Sequence, residues 1–175
     1  AADIAALTQA ITADWQDSYA ALLTNTTETG LYRNDTEARQ EVFKALTTGL
    51  QLTSEARLGR PLGTFDRPRP TRAEAWRSGR SARHVAVALD SLRDLAARLS
   101  QADAALAQEV DATFARATAQ LENLDDPVFA GVADPVTRIK VEALQSRVEE
   151  IRAIAGLQIG PHLGVEAGFN ALDGD

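Results

Sequence analysis

The chain has 175 residues, a length typical of one domain that buries roughly 70% of the surface of its unfolded chain. It contains no cysteine, which excludes disulfides, and no apolar run near the roughly 20 residues that a membrane-spanning helix needs. Its 25 acidic and 18 basic residues give a net charge of −7, which argues against general nucleic-acid binding. We therefore predict a single domain over residues 1–175 without a nucleic-acid partner.

The first sixty residues predict two helices, because apolar residues recur every three or four positions. The apolar positions of the first helix are Ile4, Leu7, Ile11, Trp15, Tyr19, Leu22 and Leu23. The second helix begins near Asp35, a good N-cap residue, and is expected to end around Gly59, before Pro61. Its predicted buried residues are Val42, Phe43, Leu46 and Leu50. A proline-rich loop over residues 58–70 follows, and loops of this length are often functional.

Three more helices are predicted in the second part of the chain. The third opens at Thr71, where Glu74 three residues later would complete a capping box. Ser100 ends the third helix or caps the fourth, and the fifth begins at Asp134 and ends at Gly156. The predicted apolar faces are Val85, Leu89, Leu92, Leu95 and Leu99, then Leu106, Val110, Phe114, Ala117 and Leu121, then Ile139, Leu144, Val148, Ile151 and Ile154.

Together these segments predict an all-α fold, an up-and-down bundle of long helices with an irregular, glycine-rich C-terminal segment. That segment, residues 157–175, holds four of the chain's eleven glycines and six apolar residues. Glycine at this density specifies a defined backbone path, and apolar residues favour packing on a core. We therefore expect the segment to fold back and to place its polar groups at defined positions.

Positive charge is concentrated between Glu55 and His84, where eight arginines face three carboxylates and give a net charge of +5. The remainder of the chain therefore carries −12. On the predicted third helix, Arg77, Arg80 and His84 share one face, at spacings of three and four. The segment is either a solvated, internally paired face or a surface that meets an acidic partner, an anion or the acidic tail. We predict that these arginines lie close to the tail.

The tail also contains the chain's best pattern for a metal ligand pair. His162 and Glu166 are four residues apart and would lie on one face of a short helical turn. Imidazole nitrogen and carboxylate oxygen suit zinc or iron, although a histidine that bonds to backbone or to a carboxylate is the alternative. Asn170, Asp173 and Asp175 resemble a calcium loop only loosely, because the alternate-residue ligands and the distal glutamate are absent. The chain contains no phosphate-binding loop, nucleophile elbow or His-Glu-x-x-His motif.

Two separated stretches resemble the imelysin family. The run Glu74-Ala-Trp-Arg-Ser-Gly-Arg-Ser81, which follows a Gly-Arg-Pro loop, is similar to a signature of the family's C-terminal half. The closing run, residues 163–175, is also similar to that half. The resemblance implies an exported protein made of two helical-bundle halves with a proposed site between them. The family includes iron-regulated bacterial proteins and the periplasmic component of a ferrous-iron uptake system.

The family's Gly-x-His-x-x-Glu motif, suspected of binding metal, lies in the N-terminal half and is absent here. His84 is followed by Val-Ala-Val. Three residues separate His162 from Glu166, whereas the motif has two between its histidine and its glutamate. The resemblance therefore implies that the N-terminal half of the same protein is the partner and that it completes an iron or zinc site. Residue 1 is not Met, so we expect a chain cut from a longer precursor whose signal peptide has been removed.

The resemblance implies a bacterial periplasmic or cell-envelope location, with any membrane association made through the missing N-terminus. The expected cofactor-binding residues are Glu55, Arg57, Trp76, Arg77, Arg80, Ser81 and Asn170. The expected metal-facing residues are His162, Glu166, Asp173 and Asp175. We thus expect one wall of an interdomain site for iron or another metal. The alternatives are a metallopeptidase whose ligands lie on the missing half, and a purely structural helical domain whose motifs lock helix packing.

Overall fold

A computed structural model describes residues 2–165, and this part of the chain contains five long helices. They are α1 (residues 2–24), α2 (residues 35–62), α3 (Ser81–Ser100), α4 (Ala104–Glu122) and α5 (residues 135–163). Short 3₁₀ turns at Pro70–Arg72, Trp76–Ser78 and Ala130–Ala133 lie in the connections. Within residues 2–165 there is no strand, only an isolated bridge between Thr64 and Arg67. The predicted all-α helical bundle is confirmed.

A π-helical turn interrupts three of the helices. These turns are Trp15–Tyr19 in α1, Leu52–Leu58 in α2 and Ala155–Ile159 in α5. Beyond them α2 continues through Gly59–Leu62, and α5 continues through Gly160–Leu163. The predicted ends at Gly59 and Gly156 are therefore wrong. The wider turn relieves the clash between a following proline ring and the carbonyl four residues earlier, so Pro61 and Pro161 are accommodated within the helices.

The contacts between residues divide the chain into two compact units, Ala1–Val42 and Phe43–Asp175, and the prediction of one domain over residues 1–175 stays a prediction. In the first unit, the hydroxyl oxygens of Tyr19 and Tyr32 lie 2.5 Å apart. This hydrogen bond, with partial burial and the nearby Tyr19 and Glu41, raises the pKa of Tyr32 to about 12.

The apolar stripe of α1 is exposed, although the helix itself forms as predicted. Five of its members keep between 41% and 69% of their surface accessible: Ile4, Leu7, Ile11, Trp15 and Leu22. Periodic apolar residues normally cover a core, so an exposed stripe of this length is a candidate contact surface.

The second unit has one apolar core, to which α2, α3, α4 and α5 all contribute. Helix α4 packs against both α3 and α5, and the π turn of α2 packs against the same two helices. The largest fully buried side chains of this core are Phe43, Leu46, Leu50, Leu58, Val85, Leu89, Phe114, Phe129, Val132, Val141, Leu144 and Ile159. The predicted faces of α2 and α4 are largely confirmed. Ile139 is exposed, contrary to prediction, and Val141 takes its place in the core of α5. Within residues 2–165 no helix is both long and apolar enough to cross a membrane.

Aspartate side chains cap α4 and α5. Asp103 accepts hydrogen bonds from the backbone N–H groups of Ala105 and Leu106, so Asp103, rather than Ser100, caps α4. Asp134 accepts from Val136 and Thr137, which confirms the predicted start of α5. The backbone hydrogen bond from Thr137, supported by its hydroxyl and by the Val136 N–H, holds the pKa of Asp134 below its usual value.

The third helix begins ten residues later than predicted. Residues 70–80 instead form two 3₁₀ turns that are separated by extended backbone at Ala73 and a left-handed residue at Ala75. A left-handed Gly79 then leads into α3 at Ser81. Consequently Arg77 and Arg80 do not share a helix face with His84, and the predicted capping box at Thr71 does not form.

Candidate functional site

The π turn of α2 is fixed by bonds to α5. The hydroxyl of the buried Ser54 bonds to the Glu149 carboxylate, and the Ser54 carbonyl accepts from the Gln145 side chain at 3.1 Å. That carbonyl also accepts the Gly59 N–H, which closes the wide turn. Turns of this kind occur frequently at functional sites because they displace side chains from the regular helical positions. The turn contains two of the predicted site residues, Glu55 and Arg57.

Glu55 belongs to an ion-pair cluster between α2 and α5. Its carboxylate accepts from Arg152 at 3.2 Å and from Gln51 at 3.2 Å. Arg152 also pairs with Glu149, the residue that bonds to Ser54. In the isolated chain, Glu55 therefore has a packing role that joins two helices.

Arg57 joins the π turn to the segment 63–80 through Glu74. Its Nε donates to Glu74 Oε2 at 2.8 Å, and its Nη1 donates to the Thr53 hydroxyl at 3.3 Å. The other carboxylate oxygen, Oε1, lies 3.4 Å from Nδ1 of His84 in the first turns of α3. Three separate parts of the chain thus meet at Glu74. Sequence reasoning missed this cluster because it assigned Glu74 to a helix cap.

The ionisation of Glu74 depends on these partners. Partial burial alone raises its pKa, but the hydrogen bond and charge of Arg57, together with those of His84, outweigh burial and hold the pKa below its usual value. The carboxylate is therefore the form that the fold prefers, and it remains half exposed.

We expect Glu74→Gln to cost about 0.5–1 kcal/mol of unfolding free energy at pH 7, since the pair is partly exposed. Because the pKa is lowered in the folded state, the unfolded chain takes up the proton first on acidification. The stabilisation is complete above the usual glutamate pKa of about 4.3 and is lost as the pH falls through the folded value. Urea unfolding should therefore show that Glu74→Gln is less stable than the native chain at pH 7 and equally stable at about pH 3.

Glu122→Gln is the matched control, because Glu122 is exposed at the end of α4 and makes no ion pair within residues 2–165. Its unfolding free energy should differ little from that of the native chain at both pH values. A Glu74→Gln penalty of equal size at both pH values would show that the carboxylate charge contributes nothing.

A glycine-dependent turn opens the segment 63–80. Gly63 has φ +56° and ψ −137°, a conformation that is essentially restricted to glycine. The chain then turns back, so that Arg69 N–H donates to the Pro61 carbonyl at 2.8 Å. Arg138 of α5 fixes this return by donating to the carbonyls of Leu62 and Thr64 at 2.7 and 3.3 Å. The segment is therefore an ordered loop and not a loose linker.

The loop and the first residue of α3 carry the remaining predicted cofactor-binding residues that the structure describes. The Arg77 guanidinium stacks 4.8 Å from the centroid of the Trp76 ring, a cation–π contact that orients the arginine. Arg80 is exposed and makes no ion pair within residues 2–165. Ser81 is only 2% exposed, and its hydroxyl has no hydrogen-bond partner among the described residues.

Two adjoining pockets open beside this loop. One, of about 360 Å³, is lined by Arg60, Thr71, Arg72, Ala73, Ala75, Trp76 and Arg77. The other, of about 260 Å³, is lined by Leu52, Ala56, Arg57, Arg60, Arg72 and Glu74. Arg60 and Arg72 line both pockets. Neither was among the predicted site residues, because the sequence alone does not distinguish them from the other arginines of the segment.

Of the residues that were predicted to face a metal, the structure describes only His162. This histidine is exposed in the last turn of α5. Gly160, two residues earlier in the same turn, packs beside the Phe43 ring. Arg60 lies seventeen residues after Phe43 on α2, about 25 Å along the helix axis. The described residues therefore do not bring His162 together with the arginines.

Glu166, Asn170, Asp173 and Asp175 lie outside the described residues, as does the predicted approach of the tail to Arg77 and Arg80. Within residues 2–165, no three His, Cys, Asp or Glu side chains form a group that could hold a metal ion. The described residues thus do not supply the three protein ligands that a catalytic zinc site usually needs, and the predicted contribution of the tail stays a prediction.

The imelysin family model matches residues 1–155, most of the chain and all of the helical segments up to the π turn of α5. The chain belongs to the imelysin family. No curated protein and no solved structure matches the chain significantly. The match includes the run Glu74–Ser81 on which the resemblance was based, whereas the second run, residues 163–175, lies beyond it. In this imelysin-family chain, the first run is therefore the loop that supplies Glu74, Trp76 and Arg77.

Proposed function

We propose that this chain is the C-terminal bundle of an exported imelysin-family protein that takes part in iron or metal binding or uptake. In this proposal it supplies one wall of a site whose other wall is the N-terminal half of the same protein. The observation that carries the proposal is the cluster at Glu74. The loop lies within the residues that the family model matches, and Arg57 and His84, from two other segments of the chain, hold the Glu74 carboxylate while it stays half exposed.

Exposed polar groups that are held by long-range bonds suit a surface that meets a partner. An isolated loop gains little from ordering exposed side chains, since exposed ion pairs contribute about 0–1 kcal/mol each. The Arg57–Glu74–His84 cluster does order them, at 2.8 and 3.4 Å. The exposed stripe of α1 supports a partner independently, since apolar surface of this kind is commonly covered by another chain or domain. The N-terminal half is the proposed occupant of both surfaces.

The metal would be bound by ligands from both halves. His162, Glu166, Asp173 and Asp175 are the proposed donors of this chain, and the His-x-x-Glu pair expected in the other half would complete the set. A single exposed histidine with one or two carboxylates is a weak site, so we propose that this chain alone binds metal poorly. The proposed location is the bacterial periplasm or cell envelope.

Calorimetric titration of ferrous iron or zinc into this chain, and then into its complex with the N-terminal half, tests the proposal. We expect weak binding by the isolated chain and at least about tenfold tighter binding by the complex, because ligands from two walls complete the coordination. His162→Ala should weaken the complex's binding, whereas Arg83→Ala, at an exposed position of α3, should not.

Tight one-to-one binding by the isolated chain that His162→Ala abolishes would show that the site is complete without a partner. Equal and negligible binding by the isolated chain and the complex would overturn the metal proposal and favour a packing role for the motifs. Peptide hydrolysis by the metal-loaded complex would instead support the metallopeptidase alternative.

A further inference from the structure

The larger of the two pockets beside the loop is unusual in its charge. Three arginines line it, Arg60, Arg72 and Arg77, and no carboxylate does. None of the three makes an ion pair with any residue between 2 and 165. By contrast, Arg57 in the neighbouring pocket is neutralised by Glu74 at 2.8 Å. Three arginines that line one pocket without an ion pair to the described residues form a site of positive potential within a chain of net charge −7, although Glu74 lines the adjoining pocket with Arg60 and Arg72.

The shape and lining of the pocket indicate the class of anion. Guanidinium groups bind carboxylates and phosphates in a bidentate manner, so the arginines alone do not separate the two. The pocket, however, has a volume of about 360 Å³, within the range of small-molecule sites and larger than a single phosphate ion needs. Its remaining walls include the Trp76 ring and two alanines, Ala73 and Ala75, against which a carbon skeleton can lie.

The Arg77 side chain and the backbone of the other two arginines are held in place. Arg77 is held against Trp76 at 4.8 Å, and the backbone that carries Arg72 is fixed by hydrogen bonds from Arg72 N–H to Arg69 and from Ala73 N–H to Pro70. Arg60 lies in the closing turn of α2, next to the π turn. Groups held in place lose less freedom when a ligand binds, which increases affinity.

We propose that this pocket binds a small organic di- or tricarboxylate, with Arg60, Arg72 and Arg77 each pairing with a carboxylate and Trp76 covering the carbon skeleton. The inference goes beyond the proposed metal function, because it requires neither a metal nor the second half. It also uses residues that the metal site does not, so either proposal can fail while the other stands.

Calorimetric titration of the full chain in metal-free buffer at low ionic strength tests the inference, with propane-1,2,3-tricarboxylate, succinate, acetate and inorganic phosphate as probes. We expect one saturable site, with affinity falling in that order for the three carboxylates and phosphate weaker than the tricarboxylate. Because each paired guanidinium contributes a charged hydrogen bond, Arg72→Gln or Arg60→Gln should weaken tricarboxylate binding by roughly tenfold or more.

Arg83→Gln is the control, since it removes the same charge from an exposed position of α3 that lines neither pocket. It should weaken binding by less than about threefold, the effect of net charge alone. Far-ultraviolet circular dichroism verifies that each variant is folded. The inference is overturned if no probe saturates, if Arg83→Gln weakens binding as much as Arg72→Gln, or if phosphate binds as tightly as the tricarboxylate.

Discussion

Replacing Arg138 by methionine should lower the free energy of unfolding by about 2–4 kcal/mol, one of the two largest effects expected for this chain. Arg138 is only 6% exposed, and it donates to the Leu62 and Thr64 carbonyls and to Glu142 Oε1 at 2.6 Å. Methionine fills a similar volume but leaves both carbonyls without this donor. Chemical denaturation with an unchanged denaturant dependence would measure the loss.

Arg98→Met provides the matched control. Arg98 is an exposed arginine of α3 that pairs with Asp94 at 3.0 Å, four residues earlier on the same helix. Exposed pairs of this type contribute about 0.3–0.5 kcal/mol, so the control should be close to the native chain. If Arg98→Met and Arg138→Met cost the same, the buried hydrogen bonds of Arg138 do not stabilise the loop.

Gly63→Ala should cost about 2–4 kcal/mol, because two separate effects add at this position. Its φ of +56° with ψ −137° is a conformation that side chains rarely adopt. In addition, a Cβ atom there would lie 2.4 Å from the Arg67 carbonyl oxygen, so the backbone has to move. The movement would also displace the loop that lines the arginine pocket, so thermal unfolding and tricarboxylate binding should both be impaired.

Gly79→Ala separates the two effects. Gly79 also has a positive φ, +69°, but a Cβ atom there would meet nothing within 4 Å. Only the conformational cost of about 1 kcal/mol remains, and the pocket should keep its affinity. A Gly63→Ala variant as stable as Gly79→Ala would show that the loop relaxes around the added carbon.

The periodicity of the sequence was sufficient for the helices that pack in the core. Helix α5 starts after Asp134 and α2 starts at Asp35, as predicted, although Asn34, which accepts from the Glu37 N–H, is the residue that caps α2. All five predicted residues of α4 are buried. The error at Ile139 was also visible in the pattern, since Ile139 and Leu144 are five positions apart where three or four are needed. Val141 satisfies that spacing and is fully buried.

The site was harder to predict, because long-range contacts decide it. Thr71 and Glu74 have the spacing of a capping box, but Arg57 and His84 bind the carboxylate and the helix begins at Ser81. Likewise, Pro61 indicates a helix end only if the preceding turn is a regular α turn. Neither the contacts of Glu74 with Arg57 and His84 nor the π turn before Pro61 can be recognised from the local sequence. The arginine-rich segment could therefore be recognised, but the convergence of Arg60, Arg72 and Arg77 could not.

The π turn of α2 has a consequence for chain length in related proteins. A π turn holds one residue more than the α turn that it replaces, and it absorbs the extra residue without changing the register of the helix on either side. Loss of one residue within Leu52–Leu58 would therefore leave the core contacts of Phe43 and Leu62 in place. The presentation of Arg57 to Glu74 would change. We infer that loss of a single residue here alters the site while the bundle stays intact.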